Sequence, residues 1–438
     1  MASCEDYIAL TGSEGSAIRQ YTFELYLLSL NSTYTDLVKE AIAQNTTFEG
    51  KNATEYRDLL AHQNGWRPVV SNTQKAQVGF KVTSNTSLIG LDANAALNGI
   101  NLYVSSVDNV WIRNLKLISP ADCFPAPETF PASWNGKSVR NVTLTITVAN
   151  IVYRFDAVGL VTSTNVWVDG CELQDQLSGE YVQPDHIDPG WEVDRFDGKL
   201  FLHESIQYLT GHLTGLFDCE DGSDNVTFSH NIVRNHHKSM LLGGGTKEAD
   251  RDLGKMHFTI FGNHFNNSAS RNPLMRFGTF DIFANVFESI NNNDPRFDSS
   301  VAIESRDEEV LSDAEFQYHL GVYNQSTIQV KDNVFLQVGS VADDTSRLFT
   351  ISEATLPDRP ARICIPDSDV PTTLNGEVVN MDVVAQDTID YFVESGKTVE
   401  GAVLVTCDGV NVGGYTLPQT FSSPDEVKAY VTSQAGQV

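Results

Sequence analysis

Positive charge is scarce in this chain. Lys plus Arg number 29 against 57 Asp plus Glu in 438 residues, a formal net charge of −28. A general nucleic-acid binder needs a basic surface, so the balance argues against that class. A polyanionic ligand would need a local cationic site or a bridging metal. Long hydrophobic runs are also missing: no stretch of about 18 apolar residues occurs, so no segment reads as a membrane helix. Cysteine is sparse. The six residues (Cys4, Cys123, Cys171, Cys219, Cys364, Cys407) form no CxxC pair, which removes zinc-ribbon and thioredoxin readings and leaves the disulfide pairing open. Gly243-Gly-Gly245 lacks the Gly-Lys-Ser/Thr ending of a phosphate loop and reads as a turn. The neighbours His236 and His237 are poorly placed to chelate one metal from a strand.

What is present describes a folded protein, with 41% apolar and 10% aromatic residues. Asn-x-Ser/Thr sequons start at Asn31, Asn45, Asn52, Asn85, Asn141, Asn225, Asn266 and Asn324, with Asn225 expected to be buried in a strand. Their density suits a secreted glycoprotein. The opening residues Met1 to Asp6 show no basic n-region and no apolar h-region, so the expected signal peptide is absent from this chain.

Helical spacing of apolar residues is best between Tyr21 and Leu60. After about Gln77 the pattern changes to short β-branched and aromatic runs cut by Gly, Asn and Asp. A degenerate repeat runs through this part. It reads Val226-Thr-Phe-Ser-His-Asn231-Ile-Val233, then Phe258 to Phe265 with Asn263, Phe280 to Phe287 with Asn285, and Ile328 to Phe335 with Asn333. Val166 to Leu173 fits with Cys171 in the Asn slot, and Val110 to Asn114 fits one residue short. The repeat starts are close to multiples of a coil of 22–25 residues (roughly one solenoid rung) with loop insertions. A single rung cannot bury its apolar face, whereas stacked rungs share a continuous core. The expected fold is therefore an all-β parallel β-helix rather than a sandwich. A helical capping region is expected over 1–76, the β-helix over 77–340 and a C-terminal extension packed on it over 341–438. The two end regions would supply the polar cover that a solenoid needs.

Residues at similar offsets from successive repeats should lie beside each other. Asp156 stands ten residues before Val166, Asp218 eight before Val226 and Arg271 nine before Phe280. Lys238 follows the repeat that starts at Val226, and Arg276 follows Arg271 by five. Two carboxylates and three cations would then share one groove. Each alone reads as an ordinary surface charge, and only their common register marks them as a set.

The motifs around them resemble the pectate lyase family. They are Asp218-Cys-Glu-Asp-Gly-Ser-Asp to Asn231, Asn235-His-His-Lys238-Ser-Met-Leu-Leu-Gly243 and Arg271-Asn-Pro-Leu-Met-Arg276-Phe-Gly278. Upstream, Ser84 to Leu91, Asn109 to Leu115 and Asn165 to Asp169 match in order and spacing, so the resemblance covers roughly residues 77 to 340. It implies a right-handed parallel β-helix that cleaves α-1,4-linked polygalacturonate by Ca²⁺-assisted β-elimination, releasing 4,5-unsaturated oligogalacturonides as a secreted monomer. By similarity Asp156 and Asp218 are Ca²⁺ ligands, Lys238 and Arg276 bind substrate carboxylates, and Arg271 is the base that takes the C5 proton. A guanidine is ordinarily protonated below about pH 12, so such a base implies activity that rises into the alkaline range.

The sequence departs from the family pattern at three points. Thr214 stands where a third calcium carboxylate is usual, with Glu220, Asp185 or Asp188 available to compensate. Gly170 stands where His commonly follows the Trp-x-Asp element. Ser138 to Arg154 is an extra β-prone segment, either an inserted hairpin or a gene-model artefact. Trp191 and the Asp185 to Gly190 loop are candidates for the groove lining. The nearest rival is a pectin lyase acting on methyl-esterified polymer, which would not need Lys238 or calcium carboxylates. A catalytically impaired polysaccharide-binding solenoid is the alternative of another class. The Gly-His-Gly and Arg-Ile-Lys elements of polygalacturonases are absent.

Overall fold

A computed structural model describes residues 72–120, 155–174, 215–245, 248–289, 316–351, 360–395, 401–407 and 419–437, with short strands between 126 and 152. The helical stretch expected between Tyr21 and Leu60, Thr214, Trp191 and the Asp185 to Gly190 loop lie outside the described residues.

The chain visits three sheets in rotation. Sheet 1 runs from Gly79–Val82 to Phe349–Ile351, sheet 2 from Thr86–Ile89 to Ala402–Leu404 and sheet 3 from Ala96–Asn98 to Glu377–Val378. Every pairing in these sheets is parallel except the last one of sheet 3. This is a parallel β-helix. Its pairing continues beyond residue 340, through Ala361–Cys364 to Ala402–Leu404.

The repeat starts do stack. Val110, Val166, Val226, Phe258, Phe280 and Ile328 are consecutive register partners in sheet 2. Their unequal spacing needs a correction, however. Val166 and Val226 sit on adjacent rungs, as do Phe280 and Ile328, so the long intervals are single rungs carrying insertions, not multiples of a coil. The largest insertions, within 121–154, 175–214 and 290–315, all leave at the corner where sheet 3 hands over to sheet 1. In the first of them Lys137–Val139 and Val142–Leu144 form an antiparallel hairpin.

Alternation explains the core. Inward residues such as Leu102, Val158, Leu160, Phe217, Cys219 and Leu242 are fully buried. Phenylalanines stack from rung to rung, Phe265 on Phe287 at 5.0 Å and Phe287 on Phe335 at 4.9 Å. Each such ring adds about 2–3 kcal/mol by burial. The slot asparagines form a ladder. Asn285 Nδ2 donates to Ile260 O at 2.9 Å and to Asn333 Oδ1 at 3.1 Å, while its own Oδ1 accepts from Asn263 N at 2.9 Å. Asn231 and Asn263 repeat the pattern, and Cys171 N donates to Asn231 Oδ1 at 2.9 Å.

The residue before each slot turns the corner with positive φ: Asn114, Gly170, His230, Gly262, Ala284 and Asp332. Glycine suits that position, which accounts for Gly170 locally. The histidine that the motif lacks at 170 is supplied by the next rung, where His230 Nδ1 bonds Asp169 Oδ1 at 2.9 Å. Asp169 also holds Arg113 and Ser229, so its carboxyl lies below the usual range despite burial.

Helix Met381–Glu394 packs against the Phe349–Ile351 and Ala402–Leu404 strands, and helix Pro424–Gln434 packs along Val286–Ser289 and Val334–Leu336. Tyr430 Oη meets His230 Nε2 at 2.9 Å, and Gly436 N donates to His230 O, which clasps the C-terminus to the solenoid wall. Cys364 and Cys407 are disulfide-bonded, while Cys171 and Cys219 are buried free thiols. No described helix is long and apolar enough to cross a membrane. Asn225 is exposed in its strand, contrary to the expectation of burial; Asn85 is exposed too, whereas Asn324 is buried and Asn266 is half-buried, its amide donating to Glu288.

Candidate active site

The register of sheet 1 brings the candidate residues together. Gly159, Asp218, Leu241, Leu274 and Gly321 are successive partners across five rungs. Three residues before Gly159, Leu241, Leu274 and Gly321 stand Asp156, Lys238, Arg271 and Tyr318. These four therefore occupy the same corner, Lys238, Arg271 and Tyr318 on successive rungs and Asp156 two rungs before Lys238, with Asp218 in the strand of the rung between. Backbone bonds carry the corner from rung to rung: Leu216 N to Ser239 O, Ser239 N to Ser270 O and Asn272 N to His319 O. Lys238 ends its sheet 3 strand opposite Ser270, the residue before Arg271.

The two aspartates converge over glycines. Asp156 Oδ2 lies 3.2 Å from where a Cβ on Gly159 would stand, and Gly159 is the direct partner of Asp218. Asp218 folds back over Gly215, accepting Gly215 N at 3.1 Å on Oδ2 and Leu241 N at 2.9 Å on Oδ1. A Cβ at Gly215 would stand 1.7 Å from Asp218 Oδ1, so any larger residue there displaces the Asp218 carboxylate. Burial, then the charges of Asp218 and Glu220, push the Asp156 carboxyl well above the usual range. Burial also raises Asp218, opposed by the Arg271 charge, by the two backbone N–H groups and by His236. Glu220 is raised by burial and by Asp218, Asp221, Glu248 and Asp252. The acids thus form crowded, under-compensated negative charge, the condition that a cation relieves.

One column further along the strands lie Glu220, Gly243, Arg276 and Tyr323, tied by Gly243 N to Cys219 O, Arg276 N to Leu242 O and Tyr323 N to Met275 O. Arg276 Nη1 donates to Gly243 O at 3.0 Å and Gly244 O at 2.5 Å, and its guanidinium sits 5.2 Å from the Tyr323 ring centre. One end of the fork is thereby anchored, which directs the rest of the guanidinium. Burial and the neighbouring Arg271 charge lower the Arg276 pKa. The glycine run read only as a turn thus has carbonyls that hold this arginine.

Arg271 has φ +56°, in the left-handed region that costs a non-glycine residue about 1–2 kcal/mol. Its side chain hydrogen-bonds Tyr318, which in turn bonds Tyr323. Neither tyrosine was singled out in the sequence, although Tyr318 stands ten residues before Ile328, the same offset as Asp156 from Val166. His236 is buried and its charge acts on Asp218; the His237 side chain lies outside the described residues.

Asp156 and Asp218 offer the hard oxygen donors that suit Ca²⁺. Among the described residues, no three acid, histidine or cysteine groups stand close enough to hold a metal ion on their own. The pair therefore fits a cation that draws further oxygen ligands from its ligand or from water. As a chemical device, the corner sets a cation-seeking acid pair beside three basic side chains, an arrangement suited to binding and polarising a carboxylate.

A family model described as pectate lyase matches residues 69–357, about two-thirds of the chain. Pectate lyase A of Emericella nidulans is 29% identical over 239 residues, covering 54% of this chain and 54% of that protein. The pectate lyase of Bacillus subtilis is 25% identical over 310 residues, covering 70% and 58%. The chain spans about half the length of the curated relatives it matches. The solved structure of a thermostable pectate lyase shares the fold, with a TM-score of 0.58 at 22% identity over 85% of this chain and 72% of that one. With the motifs, the stacked register and the family match in agreement, this chain belongs to the pectate lyase family.

Proposed function

We propose that the chain is a pectate lyase that cleaves α-1,4-linked polygalacturonate by β-elimination with Ca²⁺ at the Asp156–Asp218 pair. The observation that carries this reading is the convergence of those two acids, each with its pKa raised by burial, beside the corner that holds Lys238 and Arg271. Bound there, the ion would supply charge neutralisation of the substrate's C6 carboxylate, which is where negative charge builds as the C5 proton leaves. Asp156 and Asp218 hold it, and Glu220, whose charge acts on Asp156 and feels that of Asp218, is the carboxylate taken to stand in for Thr214.

The residues divide the rest of the work. Lys238 pairs with a uronate as a point charge, while Arg276, fixed at Nη1 by the glycine carbonyls, presents the rest of its fork to another. Arg271 takes the C5 proton on a guanidine nitrogen. The C5–H electrons form the C4–C5 double bond, the C4–O4 bond breaks, and O4 leaves with its electron pair to be protonated from solvent. Retention of Lys238 and both aspartates favours the charged polymer over its methyl ester. The disulfide and the exposed sequons Asn85 and Asn225 favour a secreted, glycosylated protein, which we read as a monomer. Helix Met381–Glu394, packed against the last strands of sheets 1 and 2, is read as the cover for that end of the solenoid.

Incubation with polygalacturonate should produce ultraviolet-absorbing unsaturated uronides, and EDTA should abolish the signal until Ca²⁺ is restored. Binding without product on either polygalacturonate or methylated pectin would refute the proposal.

A further inference from the structure

Arg271 is a long side chain on a left-handed backbone position, and such a chain loses on the order of 2 kcal/mol of rotamer entropy when held in one pose. Something must hold it. Among the described residues its side chain hydrogen-bonds the Tyr318 hydroxyl, on the next rung at the same corner, and Tyr318 is bonded in turn to Tyr323. Tyr323 lies under the guanidinium of Arg276. The two arginines are therefore joined through a pair of phenols.

The chemistry of the holding group matters. A protonated guanidinium only donates hydrogen bonds, whereas a neutral guanidine also has an imine nitrogen that accepts one. A carboxylate in contact with Arg271 would accept only, and would favour the charged form. A hydroxyl both donates and accepts, so it can keep the same contact whether or not the guanidine carries the extra proton. Burial and Tyr323 raise the Tyr318 phenol above its ordinary range, so it keeps its proton in alkaline solution, where an ordinary tyrosine begins to ionise.

We propose that Tyr318 is a positioning residue for Arg271, holding its guanidine in line with the substrate's C5 proton through proton transfer, and that Tyr323 braces Tyr318 and couples it to Arg276. This rests on the reading of Arg271 as the base. Tyr318 remains protonated throughout, and no proton is consumed.

The test uses Tyr318→Phe, Tyr323→Phe, Arg271→Lys and the Tyr318→Phe/Arg271→Lys double variant of the full chain, with rates on polygalacturonate measured across pH and melting temperatures alongside. Tyr318→Phe should lower kcat about 10- to 100-fold with KM within about threefold, and should displace the alkaline rise of kcat. Tyr323→Phe should act in the same direction but less. Once Arg271 is Lys, loss of the Tyr318 hydroxyl should have no further effect on residual turnover. A fully active Arg271→Lys protein would remove Arg271 from the base role and leave Tyr318 nothing to position. Inactive Arg271→Lys together with an unaltered kcat and pH profile in Tyr318→Phe would overturn the inference alone. So would a Tyr318→Phe protein that loses rate only in proportion to a lowered melting temperature, with Tyr323→Phe unaffected.

Discussion

His319 offers the sharpest physical test of the fold. Its ring is fully buried among Phe316, Phe335 and Phe287, with centroids 4.4, 5.1 and 5.7 Å away. Neither ring nitrogen has a hydrogen-bond partner among the described residues. Burial alone pushes the imidazole down from 6.5 to about 3. Since the folded pKa lies below the unfolded one, the unfolded chain takes up a proton that the folded chain refuses as pH falls from 6.5 toward 3. Stability is therefore level above pH 6.5 and lost on acidification through that window. At about 1.36 kcal/mol per pH unit, the loss from this one group is about 3 kcal/mol at pH 4. His319→Phe keeps an aromatic ring in the stack and removes the titration. Urea unfolding of both proteins at a series of pH values gives the difference in stability directly. Asp156 and Asp218 have raised pKa values and contribute with the opposite sign, but both proteins carry them, so they cancel in the difference. The variant's relative stability should be flat above pH 7 and improve by about 3 kcal/mol by pH 4. A difference that stays constant from pH 7 to pH 4 would refute the argument.

Three further outcomes follow from the same geometry. Asn285→Ala leaves Ile260 O and the Asn263 amides without their partners in a buried ladder, and should cost about 2–4 kcal/mol in chemical denaturation; a loss below 0.5 kcal/mol (roughly the surface-substitution range) would mean that the ladder contributes little. Gly215→Ala forces a methyl into Asp218 Oδ1 and should weaken calcium-dependent activity at least tenfold (on the order of one displaced ligand); unchanged calcium dependence would show that Asp218 is not held as described. Because Asp156 and Asp218 are raised, protons compete with any cation there, so the rise in melting temperature caused by Ca²⁺ should be larger at pH 8 than at pH 5. Differential scanning calorimetry that found the larger shift at pH 5 would contradict the assignment.

Much of the site was legible as arithmetic. Asp156 and Arg271 stand at nearly the same offset from their repeat starts, and stacked parallel strands convert that into a shared corner, whereas Asp218 lies three register positions further on, in the strand. The same offset pointed to Tyr318, but a tyrosine carries no charge to draw notice in a sequence. Counting rungs failed for a physical reason. An insertion at a solenoid corner adds chain without adding a rung, so spacing alone does not reveal how many turns it spans.

The amino-acid pattern by itself determined the solenoid, because alternating apolar residues and slot asparagines recur in a form that only stacking can bury and pair. It also determined the chemical types at the site. Tertiary structure decided their partners. His230 reaches Asp169 across a rung where Gly170 has no side chain, glycine carbonyls aim Arg276, and a phenol on the next rung grips Arg271. Those contacts run between rungs, along the solenoid axis, and a linear sequence states what each rung contains but not which side chain of the next one will lie within reach.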